Sequence, residues 1–174
     1  MDKTERIKQY LEFMPKEAQI SVEILDALGF FTAPASVKYH GNYEGGLFDH
    51  SLAVAKSLVK LTNKLGLMWR RPYSPYLVGM YHDLCKCDLY IKDDSGAWTY
   101  SDDVINPDHG AKSALLASRW LRLTAEEEAC IRWHMGAYET DTKLWNYYGR
   151  AIKKYSNVLF THTADMIASR IIGI

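Results

Sequence analysis

The segment from Met80 to Tyr90, MYHDLCKCDLY, sets a histidine and an aspartate side by side in an apolar setting. Neutral imidazoles and carboxylates together suit a divalent transition metal. One His-Asp pair arises easily by chance in a chain of 174 residues, so the pair alone decides little. The interpretation of His82 and Asp83 therefore depends on the other histidines and aspartates.

Further imidazole and acidic groups fall on faces that are predicted to be buried. His50 lies on the apolar stripe of a predicted helix from Leu47 to Leu65, and Asp165 lies in the apolar stretch ADMIA of a predicted C-terminal helix. A buried carboxylate without a partner is costly, and a cation shared by several helices supplies such a partner. The candidate metal ligands are His50, His82, Asp83, His109, His134 and Asp165.

Each candidate also has a structural explanation when it is taken alone. A single inward histidine is more often a hydrogen-bonded core residue than a metal ligand. Asp165 has Arg150 and Arg170 as alternative ion-pair partners. Together these explanations are less convincing, because five or six separate ones would have to hold in the same sequence.

Cys85 and Cys87, on either side of Lys86, raise the question of a second kind of metal site. A structural zinc site normally has four ligands in paired spacing, and Cys130 is the only other cysteine. Alternate residues of a helix do not share a face. The sequence therefore disfavours a cysteine metal site.

Most of the chain shows the apolar period of helices, so we predict a single all-α domain over residues 1–174. Predicted helices begin at Thr4, Pro15, Leu47, Ser74–Pro75, Asn106–Pro107, Thr124, about Asp141 and Ser156. The helix from Ser74 is expected to continue to about Lys86, and Thr124 with Glu127 matches a capping box. Two β-prone runs predict a small hairpin around residues 88–100. Trp98, Trp120 and Trp145 are expected in the core.

The composition limits the class of protein. The chain is 48% hydrophobic and 24% charged, with zero formal net charge, which gives no global attraction to nucleic acid or acidic membranes. No segment approaches the roughly 18 continuous apolar residues of a membrane helix. The charged N-terminus does not resemble a secretory signal, and three cysteines are most simply reduced thiols. We therefore expect a cytoplasmic protein without membrane contact.

The order His50, His82-Asp83, Asp165 resembles the signature of the HD-domain superfamily of metal-dependent phosphohydrolases. GGLFDHSLAVA is similar to the Gly-Gly-Leu-x-x-His-Ser segment of a bacterial branch that includes the YhaM-type exoribonucleases. The segments YHDLCK, WHMG and THTADMIASR, and His109 with Gly110, resemble other parts of that branch. The likeness spans roughly residues 39–170 and does not include the RNA-binding domain of the exoribonucleases.

This resemblance implies an HD-domain helical bundle with divalent metal ions at its centre. A first ion would be held by His50, His82, Asp83 and Asp165. A second ion, bridged by Asp83, would be held by His109 and His134; family members with only the first four residues hold one ion. Cys85 stands where the family has glycine, and Met135 where this branch often has a second histidine. The metal stays open among Mn, Fe, Co, Ni, Mg and Zn.

Such a centre would activate water for attack on a phosphate ester, because divalent ions lower the pKa of bound water and offset charge on phosphoryl oxygens. Lys86, on the predicted helical face of Asp83, is a candidate catalytic cation and phosphate contact, or else a solvated lysine that compensates the helix dipole. His40 is a candidate catalytic proton donor or substrate contact, or else a surface-loop histidine.

Three more residues are candidates for binding substrate. His162 lies three residues before Asp165 and is expected to orient that carboxylate or contact the rim of the pocket, with core packing as the alternative. Lys112 and Arg132 are candidates for gripping a phosphate.

The leading hypothesis is a hydrolase that cleaves a phosphate ester of a nucleotide, a cyclic nucleotide or a short oligonucleotide. Two alternatives stay open. One is a one-metal nucleoside 5′-monophosphatase or triphosphohydrolase, and the other is a domain that binds a nucleotide on the same fold without turnover. Aromatic residues in TKLWNYYGR would suit an interface of a homo-oligomer, or they pack inward.

Overall fold

Helices dominate the part of the chain that the computed structural model describes, residues 1–105, 108–136 and 142–174. They are α1 (Lys3–Phe13), α2 (Val22–Ala27), α3 (Gly46–Leu65), α4 (Ser74–Tyr81), α5 (His109–Ser118), α6 (Ala125–Arg132), α7 (Trp145–Lys154) and α8 (Asn157–Met166). Short 3-10 turns cover Lys16–Ala18, Leu84–Cys87 and Thr142–Leu144, and a π-helical turn, Ile167–Ile172, continues α8. The predicted all-α bundle is confirmed. The single domain stays a prediction.

The predicted hairpin is also confirmed. Strands β1 (Tyr90–Lys92) and β2 (Trp98–Tyr100) pair antiparallel, with Tyr90 opposite Tyr100. The Asp93 carboxylate organises the turn between them, because its Oδ1 accepts hydrogen bonds from the backbone amides of Ser95 and Ala97. The hairpin connects the 3-10 turn that contains Lys86 with the segment that leads to α5.

Helix α3 is the central element of the bundle and packs against α4, α8 and the π-helical turn. It begins after Gly45, ends at Gly66, and both glycines have the positive φ that favours this residue. Its apolar stripe, with Val54 and Leu58 fully buried, is the core face predicted from the sequence. His50 lies on that stripe and is 1% exposed.

Helix α4 ends earlier than predicted. It stops at Tyr81, and a short 3-10 turn follows from Leu84. The imidazole Nδ1 of His82 lies 2.8 Å from the carbonyl oxygen of Gly79, so a side chain occupies an acceptor in the last turn. The prediction of a helix to Lys86 is therefore wrong. His82 and Asp83 lie at a break in the helix.

Other helix ends and burial predictions also need correction. Asp2, and not Thr4, caps α1, and the chain after Pro15 forms a 3-10 turn before Ser21 caps α2. Trp120 and Trp145 are 36% and 52% exposed, so their predicted core positions are wrong. The predicted starts at Asn106–Pro107 and Asp141 lie outside the described residues. Asp108 caps α5 through its side chain.

The capping box at Thr124 and Glu127 is confirmed and has a second role. Glu127 is completely buried, and its Oε1 accepts a hydrogen bond of 2.6 Å from the Ser74 hydroxyl at the start of α4. Arg71 lies 3.6 Å from its other oxygen. One carboxylate therefore fixes the N-termini of α4 and α6 together, and α6 leads directly to His134. None of the described helices has both the length and the apolar character needed to cross a bilayer.

We predict opposite effects on stability from two Gly→Ala substitutions within helices. At Gly79, a Cβ would lie 2.4 Å from the Cα of Ala55 on α3, so Gly79→Ala should lower the free energy of unfolding by roughly 1–3 kcal/mol through overpacking. At Gly149, on α7, a Cβ meets nothing within 4 Å, so Gly149→Ala should raise it by roughly 0.5–1 kcal/mol. Urea denaturation of both variants checks this. Equal effects would contradict the close α3–α4 contact.

Candidate metal centre

Five segments bring the six predicted ligands into one buried cluster. They come from α3, the end of α4, the start of α5, the residues just after α6, and α8. Ligand atoms lie within 4.8 Å of one another in three overlapping groups, which are His50 with His82 and Asp83, His82 with His134 and Asp165, and Asp83 with His109 and His134. Among the described residues, no cysteine belongs to such a group.

Asp83 lies at the centre of the cluster, and its two carboxylate oxygens face different histidines. Oδ2 lies 3.6 Å from Nε2 of His50 and 3.3 Å from Nε2 of His82. Oδ1 lies 2.8 Å from Nε2 of His109 and 3.3 Å from Nε2 of His134. Asp165 approaches from one side, with its Oδ1 3.2 Å from Nε2 of His50. The arrangement forms two half-sites that share one carboxylate.

Main-chain oxygens orient three of the four imidazoles. Nδ1 of His82 lies 2.8 Å from the Gly79 oxygen, Nδ1 of His134 lies 2.7 Å from the Ile131 oxygen, and Nδ1 of His50 lies 2.8 Å from the Ile174 oxygen. A carbonyl oxygen only accepts, so each Nδ1 carries a proton. In a neutral imidazole, the lone pair is then on Nε2, which faces the cluster.

This orientation favours positive charge within the cluster. A lone pair on Nε2 repels a carboxylate oxygen at 3.3 Å, so the cluster is stable only if the imidazoles are protonated or if positive charge lies among them. Nε2 of His82 and of His134 is buried and makes no hydrogen bond within the described chain. Several imidazolium ions side by side would repel one another. The donor set fits a divalent transition metal, whose bound histidines typically donate their other N–H to a carbonyl or carboxylate.

Lys86 contributes a fixed positive charge at the edge of the cluster. Its Nζ lies 2.7 Å from Oδ2 of Asp83, and the residue is 9% exposed. The alternative of a solvated lysine is therefore wrong. Burial alone would lower the pKa of Lys86, but the Asp83 carboxylate, together with Tyr90 and Asp165, outweighs this effect and raises that pKa. Burial likewise tends to raise the pKa of Asp83, and Lys86 and His82 hold it well below its usual value. Both groups remain charged at neutral pH.

A cavity of about 260 Å³ opens beside the cluster. Asp83, Lys86, His109 and Asp165 line it, and so does His40. The rings of His40 and His50 have their centroids 4.8 Å apart. Burial and the nearby charges of His50 and Lys86 lower the pKa of His40 to about 4. The predicted catalytic residues therefore share one cavity with three of the six predicted ligands, Asp83, His109 and Asp165.

The predicted substrate-binding residues separate into different places. His162 lies behind His134, with its Nδ1 2.9 Å from the His134 carbonyl oxygen. Lys112 forms an ion pair with Asp88 and lines a neighbouring cavity of about 420 Å³ that also contains His109. Arg132 forms an ion pair with Asp108 and lines a third cavity, away from Asp83. The structure does not bring Arg132 to the candidate centre.

Several residues at the site were not identified from the sequence. Arg170, Tyr90 and Tyr100 line the cavity, and only the hairpin fold brings the two tyrosines there. Cys85, which was not a predicted site residue, has its Sγ 3.3 Å from Nδ1 of His109. The thiol takes the place beside His109 that main-chain oxygens have beside the other three histidines. In the sequence, the short spacing between Asp83 and Cys85 was the one feature that pointed to this contact.

A larger cavity lies elsewhere. It measures about 850 Å³, and side chains of α3 and the C-terminal isoleucines form most of its lining. It contains none of the six cluster residues. Its size alone therefore does not make it the site of chemistry, because the convergent polar groups lie in the smaller cavity.

We predict that metal-free protein loses stability in acid, and that His40 contributes to the loss. An unfolded histidine titrates near 6.5, whereas the pKa of folded His40 is about 4. Between these values the unfolded state binds more protons, so the free energy of unfolding falls as pH falls. The pKa values of His82 and His109 are lowered, mainly by burial, and act in the same direction; that of His134 is raised and opposes them.

The measurement compares urea denaturation of wild type and His40→Gln at pH 7 and pH 5, without metal. Between pH 7 and pH 5, the free energy of unfolding should fall by about 1 kcal/mol less in the variant than in wild type, after allowance for the partial exposure of His40. An identical pH dependence in the two proteins would contradict the placement of His40.

A comparison with curated proteins finds one informative relative. The chain is 32% identical over 108 residues to a dihydroneopterin 2′,3′-cyclic phosphate phosphodiesterase of Methanocaldococcus jannaschii. The matched region covers 59% of this chain and 42% of the relative, so the chain spans less than half of that protein's length. No family model matches the chain, and no solved structure matches it. The relative is a phosphodiesterase, and this chain has a cluster able to hold a metal ion.

Proposed function

We propose that this protein is a metal-dependent phosphohydrolase of the HD type, which cleaves a phosphate ester of a nucleotide, a cyclic nucleotide or a short oligonucleotide. The observation that carries the proposal is the buried Asp83 carboxylate, each oxygen of which faces two imidazole Nε2 atoms beside a cavity lined by Lys86 and Arg170. A relative that is a cyclic phosphate phosphodiesterase supports the same class of reaction.

The proposed metal ligands fall into two sets that share Asp83. One set is His50, His82, Asp83 and Asp165, and the other is Asp83, His109 and His134. When bound there, divalent ions would lower the pKa of water and offset the charge on phosphoryl oxygens. The split of the Asp83 oxygens between two pairs of histidines favours two ions. The third group, His82 with His134 and Asp165, crosses this division and is the observation that favours a single ion.

Lys86 is proposed to contact the phosphate. Its ammonium group is held by Asp83 at the wall of the cavity and stays protonated at neutral pH. A cation fixed in this way stabilises charge that develops on phosphoryl oxygens and needs little reorganisation during the reaction. The side chain is already ordered by burial, so little rotamer entropy is lost when substrate binds.

His40 is proposed to contact the substrate and not to donate a proton. With a pKa of about 4, its imidazole is neutral at pH 7, and a general acid must carry its proton at the working pH. A neutral imidazole still offers one donor and one acceptor. Its Nε2 is buried and has no hydrogen-bond partner in the described chain, so a substrate oxygen or hydroxyl group would satisfy it.

We predict that hydrolysis depends on Asp83. Wild-type protein loaded with Mn²⁺ should hydrolyse bis-p-nitrophenyl phosphate or a member of a nucleotide and cyclic-nucleotide panel. Changes to groups that merely support metal ligands cost 10–100-fold, so Asp83→Asn should lower kcat/KM by at least roughly 100-fold. Asp26→Asn is the matched control, because Asp26 pairs with Lys3 on the surface.

Equal turnover by wild type and Asp83→Asn would overturn the proposal. Metal and nucleotide binding with no turnover of any substrate in the panel would favour a nucleotide-binding domain instead.

We predict a difference in metal content when the second half-site is removed. Elemental analysis should give two ions per chain for wild type and one for the double variant His109→Ala, His134→Ala, because the remaining set keeps four ligands. Replacement of His50 by Ala should weaken binding of the other ion. One ion per chain in wild type, unchanged in the double variant, would instead support the one-metal nucleoside monophosphatase or triphosphohydrolase.

A further inference from the structure

The β-hairpin places two tyrosines at the wall of the candidate active site. Tyr90 and Tyr100 form a directly opposed cross-strand pair, with ring centroids 5.3 Å apart and the rings inclined at 59°. Both residues line the 260 Å³ cavity together with Asp83 and Lys86. Residues of the hairpin are therefore neighbours of the reacting groups and not only a connection between helices.

The two tyrosines differ in exposure. Tyr90 is 8% exposed, whereas Tyr100 is 57% exposed. A cross-strand aromatic contact stabilises a short hairpin. This role accounts for the burial of Tyr90 and of the edge of the Tyr100 ring that contacts it. It does not explain why most of the Tyr100 ring is left in solvent at a polar cavity. A third tyrosine lining the same cavity, Tyr39, is 75% exposed. Ligand pockets are typically lined by aromatic side chains together with a few convergent polar groups, and this cavity has both.

The hairpin is well suited to hold a ring in place. Lys92 at the end of β1 forms an ion pair of 3.2 Å with Glu44 and lies over the ring of Trp98. The backbone amide of Ser101 donates a hydrogen bond to the carbonyl oxygen of Leu89, which extends the pairing beyond Tyr100. A preorganised aromatic side chain loses little entropy when a ligand stacks on it.

The space around Tyr100 is large enough for more than a phosphate. Tyr90, Tyr100 and His109 line both the 260 Å³ cavity and the 420 Å³ cavity next to it. The charged residues of the smaller cavity are three cations, Lys38, Lys86 and Arg170, and the two acids of the metal cluster. A ligand that fits both features has an anionic phosphoester at the centre and a flat ring a short distance away.

We propose that Tyr100, supported by Tyr90 and accompanied by Tyr39, forms a subsite on which the ring of a nucleotide substrate stacks. This inference rests on the proposed function for the position of the phosphate. Stacking on Tyr100 selects the ring, while Lys86 and the metal cluster bind the phosphate. Tyr100 is thus a specificity-determining residue, and the ring contributes to affinity apart from the chemistry.

The test measures binding, so that it is separate from turnover. Zn²⁺-loaded protein is titrated calorimetrically with AMP and with ribose 5-phosphate, which has the phosphate and sugar but no ring, and ligand integrity is checked by chromatography. Stacking of one base on an aromatic side chain changes affinity by roughly tenfold. AMP should bind about tenfold tighter than ribose 5-phosphate. Tyr100→Ala should abolish that preference, and Tyr100→Phe should keep it.

Two controls make the result specific. Tyr147→Ala removes another half-exposed tyrosine that lines neither cavity and should change nothing. Thermal melting of Tyr100→Ala shows whether the hairpin persists, and the affinity for ribose 5-phosphate should equal that of wild type. Equal affinities of wild type for the two ligands, equal losses for both in Tyr100→Ala, or no binding of AMP would overturn the subsite. If the protein prefers AMP but hydrolyses no substrate, the ring-binding subsite is supported and the proposed reaction is contradicted.

Discussion

The burial of one carboxylate determines the arrangement of the helices around it. Asp83 is 2% exposed and lies where α4 gives way to a 3-10 turn. A carboxylate in this position is stable only with compensating charge and hydrogen bonds. Lys86 provides one compensating charge from the next turn of the same segment. The rest must come from side chains on other helices, so α3, α5 and the segment after α6 have to meet at Asp83.

Helix ends provide the means of orienting the histidines. The last carbonyl groups of a helix have no partner within it, and His82 and His134 each follow a helix and bond to a carbonyl oxygen three residues earlier. The same hydrogen bond satisfies the helix end and directs Nε2 toward Asp83. Glu127 supports this geometry from a distance, because it joins the starts of α4 and α6, the two helices that these histidines follow.

Local patterns predicted the helical parts of this site, and long-range contacts decided the rest. His50 could be assigned to the buried face because α3 keeps its apolar period over its whole length, and the capping box marked the start of α6. The end of α4 was not predictable from propensity, since it depends on a side-chain hydrogen bond to the backbone. Cys85 and Tyr100 were missed because their significance depends on partners, His109 and Tyr90, that only tertiary structure brings near. Arg132 was chosen for its charge, which says nothing about the cavity it faces.

The same cluster that suits catalysis is a weak point of the fold without a cation. Two carboxylates and four imidazoles occupy its interior, and the buried Nε2 atoms of His82 and His134 find no hydrogen bond there within the described chain. Apolar packing along α3, with Leu47, Val54 and Leu58 fully buried, has to stabilise this polar centre from outside. A divalent ion that binds only the folded state would add its binding free energy to stability. Folding and metal binding would therefore be coupled at this cluster, because the Nε2 atoms of His82 and His134 that would bind an ion are also the buried atoms left without a hydrogen bond within the described chain.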